Sequence, residues 1–147
     1  MIHLFRPRKK TAIARLKEMR DRFDSTIPKR RFNMSRYVTK YNTQMNCGYI
    51  CCLVGWLPAI FPAIFRWSME ATGWTVRARY MSFDTQRHVE RFFRINSEVF
   101  SSLFAGKELV VDGRVLIPAV VDMRTVTKGQ ALRRMSTAIR LMEKGRI

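Results

Sequence analysis

Residues 43–65 carry no charged side chain, in a chain where Asp, Glu, Lys and Arg make up 27% of residues. A run of this length either crosses a membrane or hides inside a core. Pro58 and Pro62 interrupt it, and Thr43, Gln44 and Asn46 make its start polar. Basic segments flank it on both sides, so no charge asymmetry would orient a spanning helix. The run therefore reads as a buried hairpin or broken helix, and no transmembrane insertion is expected. At 147 residues the chain is the size of one domain, which buries roughly 70% of its unfolded surface. Without this run such a domain would lose most of its core.

Helical periodicity dominates elsewhere. In residues 10–23, Ile13, Leu16, Met19 and Phe23 recur at three- and four-residue steps, forming an apolar stripe edged by Lys and Arg. Asp84 is placed to cap a helix whose Val89, Phe92 and Phe93 share a face. Asn96 or Ser97 opens a short helix carrying Val99, Phe100, Leu103 and Phe104, with Gly106 as its stop. The last helix has the clearest start. Thr127 with Gln130 makes a capping box, and Val126 can staple onto Ala131. Ala131, Leu132, Met135, Ala138, Ile139 and Met142 then form the buried stripe, ended by Gly145. One stretch reads as β: residues 108–111 and 114–117 flank Asp112-Gly113, a strong hairpin signal.

The charge balance narrows the partners. Lys and Arg number 28 against 11 Asp and Glu, a formal net charge of +17. Self-repulsion on this scale opposes compaction and attracts polyanions. The excess is concentrated early: residues 1–42 hold 13 Lys/Arg and 3 Asp/Glu. Arg6, Arg8, Lys9 and Lys10, then Lys29, Arg30 and Arg31, then Arg36-Tyr37 and Lys40-Tyr41 set cations beside aromatics such as Phe5 and Phe32. Phosphate contact with stacking on unpaired bases needs that composition. Tyr37 and Tyr41 would share a face on a helix. Arg15, Lys17, Arg20 and Arg22 extend the patch along the polar side of the first helix. Arg124, Lys128, Arg133, Arg134 and Arg140 make a second cluster on the last helix. Against this stands the plain reading of a solvated charged face.

Catalytic and metal-binding patterns are sparse. Cys47, Cys51 and Cys52 form an odd, clustered set with no secretory signal before them, which suits free thiols in a reducing cytoplasm. On a helix Cys47 and Cys51 would lie one turn apart and could reach one metal ion. No second pair completes four ligands, and His3 and His88 are the only histidines. Packing is the expected role of these thiols, and Cys47 and Cys51 are weak metal candidates. Neither paired carboxylates nor a Gly-rich phosphate loop is present. No enzymatic activity and no cofactor are expected.

The stretch Phe32-Asn33-Met34-Ser35-Arg36-Tyr37, with Cys47-Gly48-Tyr49-Ile50-Cys51-Cys52-Leu53-Val54-Gly55-Trp56 after it, resembles a motif of small uncharacterised bacteriophage and proteobacterial proteins. Their pattern runs Phe-Asx-Met, a gap, then Cys-Gly-Thr-x-x-Cys-x-Ala-Gly-Trp, and they too end in an amphipathic helix stopped by Gly. The resemblance covers residues 32–56 and, loosely, 83–145. It departs at Tyr49, where the pattern has Thr, and at Val54, where it has Ala. It implies a phage-like origin and a structural use of the motif.

Together these readings give a small α+β domain, predominantly α-helical. Its amphipathic helices surround a Cys/Trp/Gly-containing core segment and one β-hairpin. Residues 1–10 are expected as a basic, mobile tail and residues 11–147 as the globular domain. The expected function is non-enzymatic nucleic-acid association, DNA or RNA, in the cytoplasm, which is the host's if the protein is phage-encoded. The alternative is a phage-encoded inhibitor or modulator docking on an acidic surface of a host protein or nucleoprotein complex. A minor virion component is the third reading.

Overall fold

The computed structural model describes residues 6–27, 32, 38–40, 49–51, 53–70, 73–78 and 85–147. Its elements run α1 (Arg6–Thr26), β1 (Val38–Lys40), β2 (Tyr49–Cys51), α2 (Leu57–Ile60), β3 (Phe65–Glu70), β4 (Gly73–Ala78), α3 (Thr85–Phe93), α4 (Ser97–Ala105), β5 (Leu109–Val111), β6 (Arg114–Ile117) and α5 (Lys128–Glu143). The architecture is α+β and predominantly helical.

α1 buries Ala12, Leu16, Met19 and Phe23, the stripe expected from its spacing, with Ile13 at the margin. It starts at Arg6, so residues 6–10 belong to the helix and not to a tail. Arg, Lys and Ala are good helix formers, and Pro7 falls in the first turn, where its missing N–H costs nothing. α5 packs antiparallel on α1. Lys17 at mid-α1 meets Glu143 at the end of α5, Nζ to Oε1 3.4 Å. At the other end Lys128, only 8% exposed, donates to the Asp24 carbonyl at 2.6 Å. That ammonium supplies the cation which the C-terminal turn of α1 lacks in its own sequence.

Both expected helix stops are left-handed glycines. Gly106 (φ 70°) ends α4, which Asn96 opens by accepting from the Val99 N–H at 2.9 Å. A Cβ on Gly106 would also displace the flexible Met123 side chain and press on Val120, 3.1 Å away. Beyond α5, Gly145 (φ 73°) and Arg146 donate back to the Met142 and Leu141 carbonyls, a Schellman turn. The capping box of Thr127 and Gln130 closes reciprocally at 2.9 and 3.1 Å. Leu141 joins the buried stripe of α5, and Leu132 is only partly covered.

Of the uncharged run, residues 53–61 and 65 enter the core, while 62–64 are exposed. Leu53, Val54, Trp56, Leu57, Ile60, Phe61 and Phe65 are all buried. Pro58 lies in the first turn of the short α2, and the chain leaves that helix at Phe61 to enter β3. Where a buried hairpin or a broken helix was expected, the run holds a strand, a four-residue helix and the start of another strand. Phe61 and Phe65 pack edge-on against Phe92, at 4.9 and 5.5 Å between centroids, and Phe93 carries the cluster on to Phe104. Among the described residues no helix is long and apolar enough to cross a membrane.

Among the described residues three antiparallel strand pairs are present, where one hairpin was expected. The expected one, β5–β6, turns through Asp112 and Gly113 with φ of 52° and 75°, the positive pair a type I′ turn demands. Its register slips between Leu109 and Val110, which turns Leu109 and Ile117 inward together. β3–β4 is longer, with Trp67 opposite Val76 and Glu70 opposite Gly73. β1–β2 joins Val38 to Cys51. Cys51 thus stands in a strand, and the one-turn helical spacing that would align it with Cys47 does not exist. Cys47, Cys52 and the expected cap Asp84 lie outside the described residues.

Candidate functional site

Much of the α1 basic face is engaged within the molecule. Arg15 donates to the Phe92 carbonyl, with its guanidinium 4.5 Å from the centroid of the Phe92 ring. Arg22 donates to the Ile60 carbonyl at 2.9 Å, pairs with Glu18 at 3.1 Å and lies 5.9 Å from the Phe61 centroid. These two side chains fasten α1 to α3 and α2. Lys17 is paired with Glu143, and Arg20 with Asp21 at 3.1 Å. Exposed pairs of this kind contribute about 0–1 kcal/mol each, but they lower the charge that Lys17, Arg20 and Arg22 offer to a ligand, while Arg15 is held against Phe92.

Two members of the second cluster are likewise structural. Lys128 is the buried tie to Asp24. Arg134 reaches across to the carbonyls of Ser102 at 2.9 Å and Lys107 at 3.0 Å, and also to that of Pro118. Burial pulls its pKa below the ordinary arginine value, and a planar fork of donors is what three converging carbonyls need. Arg134→Met should therefore lower stability by about 2–4 kcal/mol, since it strips the charged donor from partly covered carbonyls. Arg134→Lys should recover only part of that. The exposed neighbour change Arg133→Ala should fall within about 0.5 kcal/mol of the parent. Urea unfolding of the three variants checks this, and equal midpoints would remove Arg134 from the list of structural ties.

The antiparallel packing of α1 and α5 creates a surface that neither segment shows alone. It sets the start of α1 beside the end of α5, with the Lys9 ammonium nitrogen 3.9 Å from where a Cβ on Gly145 would stand. Arg146 and Gly145 also line an open depression of about 400 Å³ with Arg114 and Asp112 of the β5–β6 turn. Lys144 and Arg140, one helical turn apart, continue the surface along α5. Lys9, Arg114, Lys144 and Arg146 thus gather at one end of the molecule, with Lys10 next in sequence on α1 and Arg140 one turn back on α5. Among the described residues none of the six pairs with a carboxylate. Arg6 and Arg8 lie in the first turn of α1 at the same end. That turn holds no acidic residue, and basic residues in a helix's first turn cost about 0.3–1 kcal/mol each against the dipole. A bound anion would remove that cost.

Of the residues singled out from sequence, Lys9 falls in this cluster, with Lys10 and Arg140 beside it. Lys29, Arg30, Arg31, Arg36, Tyr37 and Tyr41 lie outside the described residues. Lys40 ends β1, and residues 38–40 form a strand, so no helix spans Tyr37 to Tyr41. Arg114, Lys144 and Arg146 were not singled out. Among the described residues there is no group of three or more His, Cys, Asp and Glu that could hold a metal ion. No protein-family model matches the chain, and no curated protein and no solved structure is significantly similar to it.

Proposed function

We propose that the protein is a non-enzymatic binder of nucleic acid, and that its main contact is the basic end built from α1, α5 and the β5–β6 turn. The observation that supports this reading is the meeting of cations from α1, α5 and β6 at one end, with Lys10 and Arg140 beside them and, among the described residues, no carboxylate paired to any of the six. A like-charged cluster destabilises the free protein, and a polyphosphate neutralises it while releasing counterions. The described part of this surface has no aromatic side chain, so its contacts are to phosphates without stacking on base faces. Lys29, Arg30, Arg31, Arg36 and Lys40, with Tyr37 and Tyr41, extend the surface on sequence grounds. The motif resemblance adds a phage-encoded origin and action in the host cytoplasm to the same proposal.

Fluorescence anisotropy with a labelled duplex of about 20 base pairs tests the reading. Non-specific binders hold DNA with Kd of roughly 10⁻⁴–10⁻⁶ M at physiological salt. Affinity in that range or tighter, indifferent to base composition, is the expected result. Absence of binding at low salt would end the reading.

A further inference from the structure

A second surface, about 16 Å along α5 from Lys144 at the helical rise, has a different character. Between the loop 118–126 and the first half of α5 runs a groove of about 420 Å³, lined by Ile117, Val120, Val121 and Val126 with Arg133 on its wall. Val121 is fully exposed, at 104% of its reference surface. The loop that carries it is tied down. The Val120 N–H donates to the Gly106 carbonyl at 2.8 Å, the Pro118 carbonyl accepts from Arg134, and the Thr125 hydroxyl donates to the Asp122 carbonyl at 2.9 Å. Val121 thus adds apolar area to the open side of a groove whose floor is already aliphatic, and that area gains on being covered.

Charge selects what could cover it. Arg133 is exposed and, among the described residues, makes no ion pair. Asp122 is the one acid lining the groove, and the whole chain carries +17. A nucleic acid has no aliphatic group to seat on this floor beyond the thymine methyl, and base stacking needs aromatic faces that the groove lacks. A second copy of the chain would bring equal positive charge to it. An acidic polypeptide supplies both complements.

We propose that this groove docks an acidic segment of a partner protein, with one aliphatic side chain on Val120 and Val121 and a carboxylate on Arg133. The proposal goes beyond nucleic-acid binding, for it gives the molecule a second face that can be occupied while the basic end holds its polyanion.

Two labelled peptides of about twelve residues test it by anisotropy against the full chain. Both are Glu-rich with equal charge; one carries a central Leu and the other a Gly in its place. The leucine peptide should bind about tenfold tighter. Val121→Ser should abolish that difference, and the fold should persist because this side chain is fully exposed. Arg133→Glu should weaken both peptides. Equal affinity of the two peptides for the parent chain would overturn the proposal. So would complete displacement of the leucine peptide by a duplex of about 20 base pairs, which would assign the groove to nucleic acid. Duplex binding measured without peptide reads the basic end separately, so the two ideas can fail independently.

Discussion

Replacing Lys9, Arg114, Lys144 and Arg146 together by Ser lowers duplex affinity about 10²–10³-fold at physiological salt, and leaves the protein folded. Each lost phosphate contact removes about 0.9 from the salt slope and somewhat under a decade of affinity near 0.15 M salt. None of the four is in an ion pair among the described residues. Lys9, Lys144 and Arg146 project from helix ends, and Arg114 is exposed at the start of β6. Surface changes of this type usually move stability by less than about 0.5 kcal/mol, and here they also relieve repulsion between like charges. A normal melting profile with duplex affinity unchanged would shift the contact elsewhere, most directly to the cations of residues 29–40.

Trp56→Ala should cost about 3–5 kcal/mol, the largest single loss expected in the chain. Trp56 is 6% exposed and meets Trp67 edge-on, at 6.3 Å between ring centroids. It stands at the entry to α2, where its carbonyl accepts from Ala59 and Ile60 at 3.0 and 3.2 Å. Trp67 in turn donates its indole N–H to the Gly55 carbonyl at 2.7 Å. Truncation therefore opens a cavity and loosens the junction between α2 and β3. Domains of this size hold only about 5–15 kcal/mol in total, and a net charge of +17 works against the compact state. The melting temperature should fall by roughly 10 °C or more. Ile64→Ala, at a residue 37% exposed, should move it far less. A melting temperature that ignores Trp56→Ala would mean the uncharged run is not the core.

Local chemistry made several elements legible in the sequence. Asn96, Gly106, Thr127, Gln130, Asp112 and Gly113 each specify one turn or cap, and each does so whatever packs around it. The prolines of the uncharged run marked where its helix would stop. β3–β4 escaped because Ala71-Thr72 between the strands lacks the Gly, Asn or Asp that marks a tight hairpin, although Phe65, Trp67 and Met69 alternate with Arg66, Ser68 and Glu70. The candidate site was harder to see for a different reason. Spacing along α1 puts Arg15 and Arg22 on its polar side, and only the tertiary arrangement shows that carbonyls of Phe92 and Ile60 take them up. Lys9 and Arg146 stand almost at opposite ends of the sequence, and no periodicity within either helix says that the two run antiparallel side by side.

The slope of log affinity against log salt for the full chain on a labelled duplex tests the central claim most directly. Six cations engaging phosphates at the basic end give a slope of about −5. A slope near zero, or no binding at the lowest salt, would contradict the account.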